Sequence, residues 1–397
     1  MLNTKFSPWP SFTREEANKV SEILLSNKVN YWTGQEGREF EREFATYTNS
    51  KYAIALSNGT LALDLALVSL GIGARNGGTE TDEVIVTSRT FLASASAIVT
   101  AGARPVFADV DANSQNITAE TVADVLTSNT KAIIAVHLAG LPCEMDELMR
   151  LANTKALFVI EDCAQAHGGK YKGRSVGSIG HIGCWSFCQD KIMTTGGEGG
   201  MVTCNDETLW RKMWAYKDHG KSYEAVYERD HPPGFRWLHE SFGTNWRLTE
   251  MQSAIGRIQL KRMPKWSELR RKYANMIADA CRDFDCIRVP TVPTYMMHAN
   301  YKYYVFIRLG LLADNWNRDR IIEEINTLGV PCFEGSCSEV YLEKAFEGTD
   351  FRPYRFLPTA RELGETSLMF LVHPTLTVEE VEKTMAVIQS VFTQASK

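Results

Sequence analysis

The amino-acid sequence predicts an α/β protein with a mostly parallel main sheet. Short apolar segments, typical of buried strands, alternate with segments of helical apolar spacing over much of the first half of the chain. Parallel strands need a crossover connection, which is usually a helix, so this alternation favours βαβ units. The length of 397 residues and the composition, 44% hydrophobic and 23% charged, suit a globular protein with one large domain and a smaller one.

The first predicted element is a helix at 13–26. Thr13 is placed to cap this helix, and Glu16 follows three residues later, as in a capping box. The other predicted helices of the first half are 37–47, 61–72, 91–102, 118–128 and 144–155. They alternate with predicted strands at 51–57, 82–88, 103–111, 131–140 and 156–162.

The pattern changes in the second half, where the predicted elements no longer alternate regularly. They are, in order, strands 184–188 and 199–204, a loop at 218–243, a long helix at 249–284, a strand at 301–309, and helices at 318–329 and 377–392. The long helix is placed to connect two domains. We therefore expect a large domain over 1–255 and a small C-terminal α/β domain over 256–397.

Charge, cysteine usage and hydropathy exclude several classes of function. The net charge of -5, without a basic cluster, predicts no nucleic-acid partner. The N-terminal residues do not resemble a signal peptide, and no apolar run approaches the roughly 18 residues of a membrane span, so we expect a cytoplasmic protein without a membrane partner. Nine scattered cysteines without a CxxC pair predict reduced thiols and no metal site.

Lys191 is the first candidate for chemistry. It lies in the segment SFCQDKIMTTGGEGG, after a predicted strand and before a glycine-rich turn. The glycines of this turn allow the backbone to approach a ligand closely. A partly desolvated lysine has a lowered pKa and can attack a carbonyl group. Taken alone, a lysine in a loop is usually a surface residue.

Asp162 ends the predicted strand 156–162. Ligands of open parallel sheets gather at the carboxyl ends of the strands, so this carboxylate is placed to pair with a cationic ligand nitrogen. The alternative role is a helix N-cap at a strand-to-loop junction. An aspartate that keeps a pyridinium nitrogen protonated is a recognised part of enzymes that use pyridoxal phosphate.

Two strand-to-helix junctions carry further candidates. Asn58, Gly59 and Thr60 open a predicted helix, whose free N–H groups and positive dipole end suit a phosphate. Phe91 stands at the next junction, where an aromatic ring could stack on a flat ligand. Each signal is weak alone, because such turns and core aromatics are common. Their order before Asp162 and Lys191, at one edge of the sheet, together predicts a pyridoxal phosphate site.

At these residues the sequence resembles the sugar aminotransferases of the DegT/DnrJ/EryC1/StrS family. The strongest segments are SNGTLALDLAL, EDCAQAHGGKYKGRSVGSIG, WSFCQDKIMTTGGEGGMV and GTNWRLTEMQSAIGRIQL, and the likeness covers nearly the whole chain. The resemblance implies fold type I of the pyridoxal-phosphate transferases, with a seven-stranded, mostly parallel sheet. It also implies a homodimer with shared active sites, glutamate as the amino donor and a keto sugar as the acceptor.

The resemblance also implies individual roles. Lys191 holds the cofactor covalently and moves the proton, while Asp162 pairs the ring nitrogen and Gln165 lies near the ring hydroxyl. Phe91 stacks on the ring. The residues that contact the phosphate are Gly59, Thr60 and Ser186 of one subunit and Asn245 of the other, and Asn58 belongs to the same cofactor-binding turn. A lysine at position 191 argues against the sugar dehydratases of the family, which have a histidine there.

The sequence departs from the family pattern on both sides of Lys191. TTGGEGG has one more glycine than the usual TTGEGG, and Cys188, Gln189 and Asp190 stand where a His or Phe with a Pro is common. This variant and the segment EGSCSEVYLEKAF resemble a subgroup that aminates C8 of the eight-carbon sugar acid Kdo. A nucleotide-linked 4-keto-6-deoxy sugar is the alternative acceptor. For a carboxylate-bearing acceptor, the candidate contacts are Lys217, His219 and Arg247.

Two other classes of function stay open at this point. One is a protein of the same fold that senses a ligand without catalysis, although no room for a DNA-binding module is apparent. The other is a different pyridoxal-phosphate reaction, such as sugar dehydration or desulfuration. The latter would need a nucleophilic cysteine on a mobile loop, and no cysteine is marked as one.

Overall fold

The structure is a computed structural model that describes residues 5–397. Its helices are α1 Arg14–Ser26, α2 Glu36–Thr48, α3 Gly59–Leu70, α4 Ala93–Thr100, α5 Ala119–Ala123, α6 Met145–Lys155, α7 Glu207–Lys217, α8 Tyr223–Tyr227, α9 Glu250–Arg282, α10 Arg318–Thr327, α11 Pro358–Thr366 and α12 Val378–Ala395. Its strands are β1 Tyr52–Leu56, β2 Glu83–Thr87, β3 Arg104–Ala108, β4 Thr130–Val136, β5 Phe158–Asp162, β6 Lys170–Tyr171, β7 Arg174–Ser175, β8 Ile182–Ser186, β9 Gly200–Cys204, β10 Ile287–Arg288, β11 Met296–Met297, β12 Tyr303–Ile307, β13 Cys332–Phe333 and β14 Ser367–Phe370.

The main sheet has seven strands in the order β1-β9-β8-β5-β4-β2-β3. Strand β9 is antiparallel to both of its neighbours, and the other six strands run in one direction. Both faces are buried: Val84 and Val86 face one core cluster, and Ile85 faces another. Burial of both faces explains why the strands of the main sheet have nearly continuous apolar sequences. The predicted fold class, with its seven-stranded and mostly parallel sheet, is confirmed.

The C-terminal part contains a four-stranded antiparallel sheet in the order β10-β12-β14-β13. Its core is closed by apolar residues of α9, α10 and α12. The predicted domain boundary between residues 255 and 256 falls inside α9, and it stays a prediction. A third sheet, β11-β6-β7, is small and antiparallel. Among the helices of residues 5–397, none has both the length and the apolar character needed to span a membrane.

Local hydrogen bonds explain where elements differ from their predicted bounds. The helix predicted at 118–128 is only α5, because the Thr127 hydroxyl accepts a hydrogen bond from the Asn129 N–H and the Thr130 hydroxyl accepts one from the Thr127 N–H. These side chains offer the backbone a turn in place of further helix. The predicted loop at 218–243 contains α8, which Ser222 caps by accepting from the Ala225 N–H.

Candidate active site

The edge of the main sheet at the carboxyl ends of β1, β2, β5 and β8 carries most of the predicted site. Strand β9 is antiparallel, so it begins at this edge with Gly200. Gly200 pairs with Leu56 at the end of β1 on one side and with Ser186 at the end of β8 on the other. A Cβ atom at position 200 would lie 2.2 Å from the Asn58 carbonyl oxygen. The chain after β1 therefore crosses directly over this glycine.

The crossing brings the N-terminus of α3 against Ser186. Asn58 caps the helix, with its side chain 2.9 Å from the Leu61 N–H, and a Cβ atom on Gly59 would lie 2.5 Å from that of Ser186. The N–H groups of Gly59 and Thr60 have no acceptor within the helix, because they belong to its first turn. Free N–H groups, a positive helix end and a neighbouring hydroxyl fit a phosphate group.

Asp162 lies at the end of β5 with its carboxylate buried at the same edge. One oxygen accepts from the Ser94 hydroxyl at 2.8 Å, and the other accepts from the Ala164 N–H at 3.1 Å. Ser94 in turn lies 3.0 Å from the Thr90 hydroxyl. These are the two donors to Asp162 within residues 5–397, so its carboxylate keeps acceptor capacity for a cationic ring nitrogen. Phe91 stands beside this chain of hydroxyls and is 70% exposed, which leaves its face free for stacking.

Glu161 shows how differently the fold treats the preceding carboxylate. It is fully buried and accepts from the N–H groups of Gly177, Ile179 and Gly180 at 2.6–2.8 Å. Nδ1 of His137 accepts from a backbone N–H, so Nε2 is the nitrogen that donates to Glu161, at 3.0 Å. Burial acts to raise the pKa of Glu161, but these donors hold it below its ordinary value.

Glu161, His137 and Cys163 are close enough to form a metal-ligand group, since one atom from each lies within 4.8 Å of the others. The hydrogen bonds from the backbone and from His137 already occupy both carboxylate oxygens, and both ring nitrogens are engaged. This cluster is therefore explained as a structural network beneath the site.

Lys191 is half-buried in the loop between β8 and β9. Its backbone carbonyl accepts from the indole Nε1 of Trp9 at 2.9 Å, which fixes the loop to the N-terminal segment. Its ammonium lies 4.0 Å from Oδ1 of Asp190 and 5.0 Å from the centre of the Tyr301 ring. The hydroxyl of Tyr301 donates to Asp190. Burial acts to raise the pKa of Asp190, but the Lys191 charge and the Tyr301 hydrogen bond lower it.

The additional glycine after Lys191 forms part of a left-handed turn. Gly196 and Gly197 have φ angles of 90° and 121°, a region that residues with side chains rarely adopt. The Thr194 hydroxyl accepts from the Gly197 N–H at 3.2 Å, and Gln252 of α9 donates to the Glu198 carbonyl at 2.8 Å. These bonds hold the turn against α9.

Gln165 and Asn245 were also predicted to contact the cofactor. The side-chain oxygen of Gln165 accepts from the Ala139 N–H at 2.7 Å, and the Ala139 carbonyl accepts from the Tyr301 N–H at 2.9 Å. Gln165 is therefore joined through Ala139 to the residue that faces Lys191. Asn245 is exposed on a segment whose next residue, Trp246, is hydrogen-bonded to Ser57 at the end of β1.

The three residues predicted to contact an acidic acceptor lie on two paired segments, but their side chains do not converge. Lys217 is fully buried, with its ammonium 3.3 Å from Glu41 and 4.0 Å from the centre of the Tyr31 ring. Its charge is thus neutralised by Glu41 inside the fold, and the Lys217 side chain is not exposed to an acceptor. Arg247 is paired with Asp218, and His219 is exposed.

Several residues of the site were missed by sequence reasoning. Ser94 could have been found, because it is a small polar residue in the first turn of the helix predicted at this edge. Trp9 and Tyr301 give no local signal, since they reach Lys191 from opposite ends of the chain.

The comparisons with known proteins agree with this geometry. A family model described as the DegT/DnrJ/EryC1/StrS aminotransferase family matches residues 10–389. The chain belongs to this family. GDP-perosamine synthase of Escherichia coli O157:H7 is 40% identical over 271 residues, which cover 67% of this chain and 68% of that protein. A UDP-N-acetyl-3-dehydro-alpha-D-glucosamine 3-aminotransferase of Acidithiobacillus ferrooxidans is 33% identical and covers 93% of this chain and 92% of that protein.

A solved structure of an aminotransferase from Psychrobacter cryohalolentis is also similar. It is 64% identical, covers 98% of this chain and 99% of that one, and superposes with a TM-score of 0.95. The predictions of the family, of a transaminase and of pyridoxal phosphate as its cofactor are confirmed.

When bound, pyridoxal phosphate supplies an electron sink for the carbon that gains or loses the amino group. The chain's own groups fit it. The first turn of α3 and Ser186 would hold its phosphate, and the Asp162 carboxylate would keep a proton on its ring nitrogen. Lys191 would supply the amine that holds the cofactor and would carry a proton at Nζ.

Proposed function

We propose that this enzyme transfers the amino group of glutamate to a sugar carbonyl, and that the acceptor is the 8-oxo form of Kdo. The product would be 8-amino-3,8-dideoxy-manno-octulosonate, a component for lipopolysaccharide. The observation that carries the transamination is Lys191, half-buried in the loop between β8 and β9. The sugar is supported by relatives named for sugar amination.

The two unusual segments support the acidic acceptor, because both border the same edge. One carries Lys191 itself. In the other, the Val340 N–H donates to the Ser88 carbonyl at 2.9 Å, and the Ser338 hydroxyl lies 2.7 Å from the Arg89 guanidinium. These contacts place the second segment within a few residues of Phe91. The two segments that resemble the Kdo subgroup thus border this edge of the sheet, one at Lys191 and the other beside Phe91.

A nucleotide-linked 4-keto-6-deoxy sugar is the second candidate. It is favoured by the 40% identity to GDP-perosamine synthase. Enzyme loaded with the amine form of the cofactor separates the two candidates. We expect 8-oxo-Kdo, and not a GDP- or dTDP-linked 4-keto-6-deoxy sugar, to restore the aldehyde absorbance in a single turnover. The opposite result would replace the Kdo assignment with the nucleotide sugar.

The same material tests the other classes of reaction. Glutamate should convert the bound cofactor to its amine form, which a non-catalytic sensor need not do. Release of 2-oxoglutarate in proportion to aminated sugar would exclude dehydration and desulfuration.

We further propose that the active unit is a homodimer in which Asn245 reaches the partner's cofactor. Phe242 is 98% exposed, and Phe235 and Trp237 are exposed nearby, a surface that a second copy would cover. Mixing inactive Lys191→Ala and Asn245→Ala chains should restore part of the activity, because one site of each mixed dimer has both residues. Neither variant mixed with itself should recover activity, and a monomer in sedimentation would contradict the proposal.

A further inference from the structure

A cavity of about 660 Å³ lies beside the loop that carries Lys191. Its walls come from the N-terminal segment 5–9, the end of α10 with the following residues 326–333, and the edge of the C-terminal sheet. Three lysines line it, Lys5, Lys302 and Lys383, and Asp190 is the one acidic residue among the lining residues. We call this space the lysine cavity.

The positive charges that line the lysine cavity outnumber the negative ones. Within the described part of the chain, neither Lys302 nor Lys383 has a carboxylate within 4 Å, and Lys383 is only 7% exposed. Asp190 already accepts from the Tyr301 hydroxyl. Burial lowers the pKa of Lys302 to about 8, with the Asp190 charge opposing that shift. Each of the two ammonium groups lies over an aromatic ring, Lys302 over Tyr301 and Lys383 over Phe6. Partly or fully desolvated ammonium groups without an ion-pair partner favour an anion.

His373, the other ionisable residue in the wall, does not change this balance. It is buried, and its Nδ1 lies 2.9 Å from the Thr375 hydroxyl. Burial and the positive charges of Arg270 and Lys302 lower its pKa to about 3. His373 is therefore neutral near pH 7, and the lysine cavity keeps its excess of positive charge.

The lysine cavity is within substrate length of the reacting amine. The ammonium groups of Lys191 and Lys302 lie 5.0 Å and 5.1 Å from the centre of the same Tyr301 ring. The two nitrogens can therefore be no more than about 10 Å apart. A carboxylate held by Lys302 and a carbonyl carbon at Lys191 would fit in one molecule with a chain of several carbon atoms.

We propose that the lysine cavity binds the carboxylate of a reacting substrate through Lys302 and Lys383. The ligand class is a small carboxylic acid. It has two sources in the reaction, the acidic sugar acceptor or the five-carbon dicarboxylate pair of glutamate and 2-oxoglutarate. The first source rests on the proposed Kdo acceptor, whereas the second needs only the transaminase activity.

Calorimetric titration of the pyridoxal-phosphate form tests this site without turnover. The probes are 2-oxoglutarate and free Kdo, which lacks the C8 carbonyl, and D-mannose is the uncharged control. We expect one acid to bind and mannose not to. Lys302→Met and Lys383→Met should each weaken that binding about 10-fold or more, while Lys302→Arg keeps it within a few-fold. Lys272→Met, on an exposed part of α9, is the matched control.

The outcomes separate this proposal from the Kdo assignment. Lysine-dependent binding of Kdo alone identifies the acceptor, and lysine-dependent binding of 2-oxoglutarate alone identifies the donor. Binding of neither acid, or binding unchanged in both Met variants, overturns the proposal. If Lys383→Met does not fold, two other measurements test the proposal. Binding should be weaker in Lys302→Met, and added salt should weaken binding to the wild type. Failure of 8-oxo-Kdo as a substrate would remove the acceptor and leave the 2-oxoglutarate arm intact.

Discussion

The cofactor edge of the main sheet and the lysine cavity are built in different ways. At the cofactor edge, Asn58, Asp162 and Ser186 lie at strand ends or at a helix N-terminus beside one sheet. At the lysine cavity, most of the walls come from the N-terminal segment 5–9 and from residues beyond 300, and three lysines accompany one carboxylate. The difference suggests that the chemistry shared by the family is carried by the rigid sheet. If the proposed substrate site is right, recognition of the substrate is carried by segments that can vary separately.

Glu161 and Asp162 show the same contrast on a smaller scale. They are neighbours on β5 and point to opposite faces, as successive strand residues must. Glu161 is saturated by donors inside the fold, whereas Asp162 has two donors and faces the ligand edge. One carboxylate stabilises the sheet, and the other is available for chemistry.

The largest effect should come from a substitution of Lys191. Lys191→Ala should lower turnover by about 10⁴-fold or more, because it removes the amine that holds the cofactor and moves the proton. Single-turnover absorbance with glutamate measures this loss. Borohydride should fix the cofactor to Lys191 in the wild type and not in the variant. Comparable turnover in the variant would show that another group does this work.

The pair on β5 should separate catalysis from stability. Asp162→Asn should lower the rate by about 10²–10³-fold with a small change in unfolding free energy, because it removes a charge that acts on the cofactor. Glu161→Gln should lower the unfolding free energy by about 3–5 kcal/mol, because it places an amide against four hydrogen-bond donors. Denaturant titration and steady-state rates of both variants measure this. An exchange of the two effects would contradict the assigned roles.

A methyl group in the phosphate cradle should weaken cofactor binding. Gly59→Ala sets a carbon against Ser186, so we expect about 1–3 kcal/mol of destabilisation and a rise in the dissociation constant of pyridoxal phosphate. Gly310→Ala is the control, since its added carbon meets no atom within 4 Å. Equal cofactor affinity in the two variants would contradict the proposed phosphate site at the first turn of α3 and Ser186.

The smallest expected effect is the pH response of His167, which is fully buried and packs between Trp185 and Phe187. Burial, followed by the charges of Lys191 and Arg270, lowers its pKa to about 3 from the usual 6.5. The folded chain thus binds fewer protons than the unfolded chain between these values. Stability is full above about pH 6.5 and falls as the pH drops towards 3.

Between pH 7 and pH 5 the loss from this one histidine should be about 2 kcal/mol. Denaturant titrations of the wild type and of His167→Phe at both pH values measure it, and the variant should lose that much less. An equal loss in the two proteins would show that His167 does not titrate as described.

The sequence is enough to predict the sheet edge because its signals are local. Asp162 ends an apolar strand, and Asn58 opens a helix, so a pattern of a few residues places each one. Lys217 shows the limit of this reasoning. It was expected to face a ligand, but Glu41, 176 positions earlier, neutralises it in the interior. Lys302 and Lys383 were missed for the same reason, since only the folded chain brings them together.

The segment that crosses over Gly200, from Leu56 to Gly59, must be nearly fully extended for α3 to start where it does. Leu56 and Ser186 sit on either side of one strand, so they are separated by two strand spacings, about 9.5 Å. Three residues carry the chain from Leu56 to Gly59, and three extended residues reach at most about 10–11 Å. Asn58 is fully extended, with φ -165° and ψ 171°. If one residue were deleted here, the remaining segment would be too short for the start of α3 to reach Ser186. This would hold even if all the other side chains were unchanged.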